Sequence, residues 1–95
     1  MKNPLIKLRE YLDISGIPYT DDPDLILNID RIKYTDEVGN LICSAIWGTC
    51  SYGYDHGLIE IMGLLTPEEE EYDEVVGYLT PEDVFFRIVE DWRNR

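Results

Sequence analysis

The segment IWGTCSYGYDHGLIEIMGLL, residues Ile46–Leu65, decides how the rest of the chain is organised. It begins as an apolar strand end, passes through a loop rich in glycine and tyrosine, and continues as an apolar run at helical spacing. We predict a strand that ends at Trp47, a loop from Gly48 to Gly57, and a short helix over residues 58–65. The residues before this segment then form a scaffold, and those after it form an acidic cap.

The first eighteen residues predict an amphipathic helix. Asn3 and Pro4 suit a helix start, because Asn caps free backbone N–H groups and Pro fits the first helical position. Leucines then recur at helical spacing. Gly16 and Pro18 end the helix, since Gly adopts the left-handed conformation and Pro prevents the helix from resuming.

Residues 25–47 predict two antiparallel strands joined by a hairpin. The alternation of apolar and polar residues is clean from Asp30 onward, whereas Leu27 and Ile29 have the opposite parity. We therefore expect a bulge or a break near Asp30. Residues 35–40, TDEVGN, suit the hairpin connection.

Two similar signals start helices in the last third of the chain. The segments Thr66–Glu69 and Thr80–Asp83 each place a capping Thr before Pro, with an acid three residues after the cap. Gly77–Leu79 between them predicts a short extended piece.

The whole chain, residues 1–95, is predicted as a single α+β domain with an N-terminal helix, a small antiparallel sheet (hairpin or meander) and two or three short C-terminal helices on one face. The predicted core is Leu5, Leu8, Leu12, Ile32, Tyr34, Leu41, Cys43, Ala45, Trp47, Leu58, Ile61, Met62, Leu79, Val84, Ile88 and Val89.

Composition narrows the classes of function. A chain of 95 residues with 44% hydrophobic content supports one modest core. Eight basic and twenty acidic residues give a net charge of −12, which repels nucleic-acid phosphates and anionic membranes. Residues 48–95 contain twelve acidic and three basic residues, a net charge of −9. The charge either keeps the protein soluble or attracts a basic partner. We expect neither direct nucleic-acid binding nor membrane association.

The acidic segment, residues Glu68–Glu74, places six acids in seven residues. Carboxylates in the first turn of a helix complement the helix dipole, but six exceed that need and repel one another. One interpretation is a solvated helix face. The other is a partner-binding surface that mimics the phosphate spacing of nucleic acid and fits a basic protein groove. The residues of that surface are Glu68, Glu69, Glu70, Glu71, Asp73, Glu74, Glu82 and Asp83.

The aromatic loop, residues 47–57, is the second candidate site. Aromatic side chains flanked by glycines in a surface loop give broad, rigid contact area at low entropic cost. One interpretation is that they stack on a base or anchor an interface. The other is that Trp47 belongs to the core and the tyrosines pack within the loop. The candidate ligand or interface residues are Trp47, Tyr52, Gly53, Tyr54 and His56.

Residue types of catalytic and metal sites occur only in weak arrangements. Cys50, Asp55 and His56 supply a thiol, an orienting acid and a base, but they share one short loop, whereas catalytic partners usually converge from separate elements. One His and two Cys give no recognised metal-ligand spacing. No Lys or Arg occurs across residues 34–86 to neutralise a bound phosphate. We expect no enzyme activity, no metal and no cofactor, and the sequence leaves a disulfide between Cys43 and Cys50 open.

Three motifs resemble a set of short proteins encoded by phages and prophages of Gram-positive bacteria. They are LREYLDISGIPY at Leu8–Tyr19, CSYGYDHGLIEIM at Cys50–Met62 and GYLTPEDV at Gly77–Val84. The chain departs from the pattern at Cys50, where glycine is expected, and in the acidic segment. The resemblance implies a small accessory protein that works by binding in the cytoplasm of a bacterial host cell. It carries no established activity with it.

The leading hypothesis is a non-enzymatic antagonist of a host defence system, such as an anti-CRISPR protein, which binds a host protein through that protein's basic surface. The alternative is a sponge that binds a small molecule or a nucleotide signal in residues 47–57. A third hypothesis is a thiol-dependent enzyme that uses Cys50. The sequence does not determine the number of subunits, and a homodimer is compatible with it.

Overall fold

The computed structural model describes residues 2–95 as a five-stranded antiparallel sheet with three α-helices. The helices are α1 (Pro4–Ser15), α2 (Pro67–Tyr72) and α3 (Pro81–Arg93), and a 3-10 turn spans Tyr54–His56. The strands are β1 (Thr20–Asp21), β2 (Ile29–Thr35), β3 (Leu41–Gly48), β4 (Ile59–Met62) and β5 (Val75–Leu79). Each strand pairs with the next in the chain, so the sheet is a meander in the order β1-β2-β3-β4-β5. The predicted α+β class is confirmed.

The helix starts lie where the capping residues place them. The Asn3 side chain accepts a hydrogen bond from the Leu5 N–H at 2.9 Å, and Gly16, with φ 68°, ends α1. Thr66 and Thr80 each form a complete capping box with the acid three residues later. These side chains satisfy backbone N–H groups that a helix start leaves free, which is why the local sequence alone sets these boundaries.

One face of the sheet packs with α1 and α3 around a single core. Its buried apolar residues are Leu5, Leu8, Leu12, Ile17, Ile32, Tyr34, Cys43, Ala45, Ile59, Ile61, Leu79, Val84 and Ile88. Most of them were predicted, but Ile17 and Ile59 were not. The predicted core residues Leu41 and Met62 are 45% and 46% exposed, because Leu41 begins its strand and Met62 lies on the opposite sheet face. Partial burial also corrects the prediction at Trp47, Leu58 and Val89.

The predicted helix over residues 58–65 is wrong, because this segment forms β4. Ile59 and Ile61 are fully buried, and Glu60 between them is not, which is the period-two burial of a strand. The strand lies between β3 and β5, whose backbone groups supply its hydrogen bonds. The apolar neighbours Leu58 and Met62 lie on the other face and create the apparent helical spacing.

The strand before the hairpin is shorter than predicted. Residues 25–28 form a turn in which Asn28 has φ 54°, and β2 begins at Ile29. A break therefore occurs close to the predicted position near Asp30, and the irregularity within β2 lies later, between Tyr34 and Thr35. No helix within residues 2–95 is both long enough and apolar enough to cross a membrane.

Candidate functional site

The aromatic loop joins β3 to β4 and satisfies many of its own polar groups. The Ser51 hydroxyl donates to the Gly48 carbonyl at 2.8 Å and accepts from the Gly48 N–H at 3.0 Å. The Trp47 Nε1–H donates to the Tyr54 carbonyl at 3.3 Å, and the two rings lie 4.8 Å apart. Both aromatic side chains are partly buried. Trp47 and Tyr54 therefore stabilise the loop itself.

Strand β5 holds the other side of this loop. A Cβ atom on Gly77 would lie 2.2 Å from the Tyr52 Cβ, so only glycine fits where the two segments meet. The Tyr52 N–H donates to the Glu60 carboxylate at 2.9 Å. The side chains of Tyr52 and His56 remain exposed, and the His56 ring lies 5.8 Å from that of Tyr78. The motifs at Cys50–Met62 and Gly77–Val84 thus meet in the fold, and their close approach explains why glycine occupies Gly53 and Gly77.

The cavity beside the loop is small. Its volume is about 140 Å³, and Ser51, Tyr52, Gly53, His56 and Tyr78 are among its lining residues. Small-molecule sites usually measure about 300 to 1,000 Å³. The lining contains an aspartate and no Lys or Arg. The geometry gives no support to a nucleotide site in residues 47–57, and that alternative stays a prediction.

Glu69 serves the fold. Its carboxylate accepts two hydrogen bonds from the Arg87 guanidinium, at 2.7 and 2.9 Å, and it also completes the capping box with Thr66. The hydrogen-bonded Arg87 guanidinium lowers the pKa of Glu69 to about 2. The side chains of Glu69 and Arg87 are only 23% and 21% exposed. This acid ties α2 to α3 and does not present a free charge to a partner.

The two predicted acids outside the acidic segment also have partners within the chain. Glu82 accepts a hydrogen bond from the Tyr11 hydroxyl at 2.5 Å, which lowers the pKa of the Glu82 carboxyl. The Asp83 carboxylate accepts a hydrogen bond from the Thr80 N–H at 3.3 Å, which completes the capping box at the start of α3. Glu82 therefore links α3 to α1, and Asp83 stabilises the start of α3 itself.

The remaining acids of α2 and its C-terminal end are exposed. Within residues 2–95 the side chains of Glu68, Glu70, Glu71 and Glu74 make no ion pair, and α2 buries no residue. Tyr72 lies among them with 88% of its surface exposed. We call these five residues the exposed acidic surface. Asp73 ends the helix and its carboxylate accepts the Glu74 N–H at 2.7 Å. The acidic segment is therefore helical as far as Tyr72.

Tyr72 was not among the predicted site residues. Its signal is available in the chain, because a tyrosine with acids on both sides and no apolar residue from Glu68 to Glu74 has no helix stripe to join. A bulky aromatic side chain that the fold leaves exposed is a candidate anchor for a partner.

The cysteines are free and lie in different environments. Cys43 is buried, and burial raises the pKa of its thiol to about 12, so this thiol stays protonated and unreactive. Cys50 is exposed. Within residues 2–95 no hydrogen bond joins Cys50 to His56, and no three His, Cys, Asp or Glu side chains are grouped to hold a metal ion. The two cysteines do not form a disulfide.

Comparisons with family models, with curated proteins and with solved structures found no match. The similarity of the three sequence motifs to phage and prophage proteins therefore stays a hypothesis.

Proposed function

We propose that this chain is a small acidic accessory protein of a phage or prophage that inhibits a host defence component by binding its basic surface, without catalysis. The observation that carries this proposal is the exposed acidic surface, in which four carboxylates without ion pairs surround an exposed Tyr72. The fold engages Glu69, Glu82 and Asp83 internally but leaves these four acids free.

The charge of this surface favours a basic partner. The net charge of −12 and the concentration of acids after residue 48 attract a basic surface and repel nucleic acid. Arg87, which forms an ion pair with α2, pairs with Glu69 and not with the acids of the exposed acidic surface. Exposed charges act over roughly 10 Å at moderate salt, so we expect rapid association that weakens as salt increases.

Tyr72 can contribute the affinity that exposed charges alone do not provide. Charge pairs at the rim of an interface contribute mainly to the association rate and specificity, whereas buried aromatic side chains dominate affinity. A tyrosine ring also binds a basic partner directly, because Lys and Arg side chains stack on aromatic faces. The combination of carboxylates and one aromatic ring fits a groove whose natural ligand is a nucleic acid, with phosphates and stacked bases.

The test is phage plating on bacterial strains that each carry one defence system and express the protein. We compare two triple variants. The α2 triple variant carries Glu68→Lys, Glu70→Lys and Glu71→Lys. The control triple variant carries Glu10→Lys, Glu37→Lys and Glu90→Lys. All six side chains are exposed, and both triple variants change the net charge by the same amount. Thermal unfolding of each purified variant shows whether it folds.

We expect the wild type to restore plating on at least one strain, the α2 triple variant to lose this effect, and the control triple variant to keep it. Tyr72→Ala should lose most of the effect while folding normally. Equal loss in the two triple variants would assign the effect to net charge and contradict a defined binding surface. A nucleotide-sized mass retained in native mass spectrometry, and lost in Tyr52→Ala, would favour the small-molecule alternative instead.

A further inference from the structure

The turn between β1 and β2 carries three consecutive aliphatic side chains in water. Leu25, Ile26 and Leu27 are 86%, 95% and 59% exposed. Single exposed apolar residues are common on protein surfaces, but three in a row at a protruding turn form a contiguous patch, and such patches mark interaction sites. We call residues 25–27 the apolar tip.

The tip is held rigidly. The Asp24 carboxylate accepts hydrogen bonds from the N–H groups of Ile26 and Leu27, at 3.1 and 3.0 Å. The backbone groups of Asp24 and Ile29 exchange two further hydrogen bonds, at 2.8 and 3.0 Å, which close the turn. A turn ordered in this way loses little conformational entropy when a partner covers it.

A wide groove lies beside the start of α1. Its volume is about 680 Å³, and Pro4, Ile6 and Pro81 supply apolar lining. Lys2 and Lys7 also line it, with Glu10, and within residues 2–95 neither lysine forms an ion pair. In a chain with a net charge of −12, these two lysines give the groove positive charge beside the single lining carboxylate of Glu10.

The tip and the groove lie at the same end of the molecule. Asn3, which lines the groove, donates a hydrogen bond to the Asp30 carboxylate at 2.7 Å, and Asp30 lies two residues after the turn that forms the tip. The two features are also complementary in chemistry. The tip is aliphatic with acids at its base, including Asp24, and the groove is apolar with two lysines.

We propose that the apolar tip of one chain occupies the Lys2/Lys7 groove of a second copy, so that two chains form a symmetric dimer. Because tip and groove share one end, a two-fold axis at that end lets both contacts form together and closes the assembly. A stable interface buries at least about 1,200 Å² in total, and two tips are small by that measure. The dimer is therefore weak, and it forms only as the protein concentration increases.

Sedimentation velocity of the full chain across a micromolar to millimolar series tests this assembly. The wild type should convert from monomer to dimer within that range, with weaker association at high salt because the Lys2/Lys7 contacts are ionic. Ile26→Ser should raise the dissociation constant at least about tenfold, since each dimer loses two buried aliphatic side chains. Ile14→Ser is the matched control, because Ile14 is also an aliphatic residue with 85% exposure and lies outside both features. It should leave the dissociation constant unchanged.

A mixing experiment tests the pairing of the two features. Lys7→Glu should weaken the dimer from the groove side, as Ile26→Ser does from the tip side. In a mixed pair one contact joins an intact tip to an intact groove, and the other contact carries both substitutions. If tip and groove bind each other, the two substitutions in one contact are not additive, and the doubly altered contact loses little more than a singly altered one. An equimolar mixture should then contain more dimer than either variant alone at the same total concentration. Both side chains are exposed, so neither substitution should impair folding.

Three results would overturn the proposal. The first is a wild type that stays monomeric throughout the series. The second is a dimer that Ile26→Ser does not weaken. The third is a monomer that binds phosphatidylcholine vesicles, with or without phosphatidylglycerol, through Ile26, because this would assign the tip to a membrane surface.

Discussion

The aromatic loop and the exposed acidic surface are both unusual in composition, but the fold treats them in opposite ways. In the loop, Trp47 donates to the Tyr54 carbonyl, Ser51 bonds to Gly48, and Gly77 of β5 lies so close to the Tyr52 Cβ and backbone that it has no room for a Cβ atom. On α2 and just after it, four carboxylates that form no ion pair within residues 2–95 lie exposed with Tyr72.

This comparison separates residues that specify the fold from residues that are free to bind. A cluster that satisfies its own hydrogen bonds and packing is explained by stability. A cluster of like charges around an exposed aromatic ring adds little to the fold beyond the dipole contact of the first-turn acids Glu68 and Glu70, and its mutual repulsion is destabilising. The comparison predicts that stability depends strongly on the loop and hardly at all on the exposed acids.

The largest effect is expected where the loop meets β5. Gly77→Ala places a Cβ atom 2.2 Å from the Tyr52 Cβ and 2.8 Å from the Tyr52 carbonyl oxygen, so the backbone must move. We expect a loss of about 3 kcal/mol in the free energy of unfolding, measured by urea denaturation. Gly39→Ala is the control, because Gly39 has φ 90° but open space around it, and its cost should be about 1 kcal/mol. Equal costs would show that the close approach is unimportant.

A smaller effect is expected from the ring contact within the loop. Tyr54→Ala removes the ring that lies 4.8 Å from Trp47 and should cost about 1.5 kcal/mol. Tyr54→Phe keeps the ring, and the carbonyl that accepts the Trp47 N–H is backbone, so this variant should unfold like the wild type. Tryptophan fluorescence should shift in the alanine variant alone. An unchanged stability in both variants would show that the Tyr54 ring does not stabilise the loop and is free to contact a ligand or partner.

Glu69 is the one acid of the acidic segment that we expect to affect the free energy of unfolding. Glu69→Gln removes the charge that pairs with Arg87 through two hydrogen bonds and should cost about 1 kcal/mol at neutral pH, a modest value because both side chains are partly exposed.

The pH dependence of this pair has a defined sign. Arg87 lowers the pKa of Glu69 in the folded state to about 2, from an ordinary value of 4.5. The stabilisation is therefore complete above pH 4.5 and disappears as the pH falls toward 2, where the folded state also binds the proton. The difference in stability between wild type and Glu69→Gln should shrink over that interval. A difference that is constant with pH would contradict the ion pair.

The smallest effect is expected for an exposed acid of the same helix. Glu71→Gln removes a carboxylate that has no ion pair within residues 2–95, and the free energy of unfolding should change by less than about 0.5 kcal/mol. The same variant should still weaken partner binding. If its effect on stability equals that of Glu69→Gln, the distinction between structural and free acids on α2 is wrong.

Part of the fold and part of the site were readable from the chain. Leucine spacing in α1, the alternation in β2 and β3 and the three capping segments are local signals, and local hydrogen bonds enforce the capping segments. The segment over residues 58–65 was misread as a helix because its apolar residues satisfy both periods. Only the neighbouring strands β3 and β5, far away in the chain, decide in favour of a strand.

The site divides in the same way. The sequence alone determined that the protein is acidic, that its charge lies mainly in the second half, and that a helix starts directly after Thr66, since these follow from composition and from capping chemistry. Only the structure showed that the helix continues to Tyr72. Only the tertiary structure decided which acids are free, because the partners of Glu69 and Glu82, Arg87 and Tyr11, are distant in sequence and adjacent in space. Long-range packing likewise placed the apolar tip and the lysine groove at one end of the molecule.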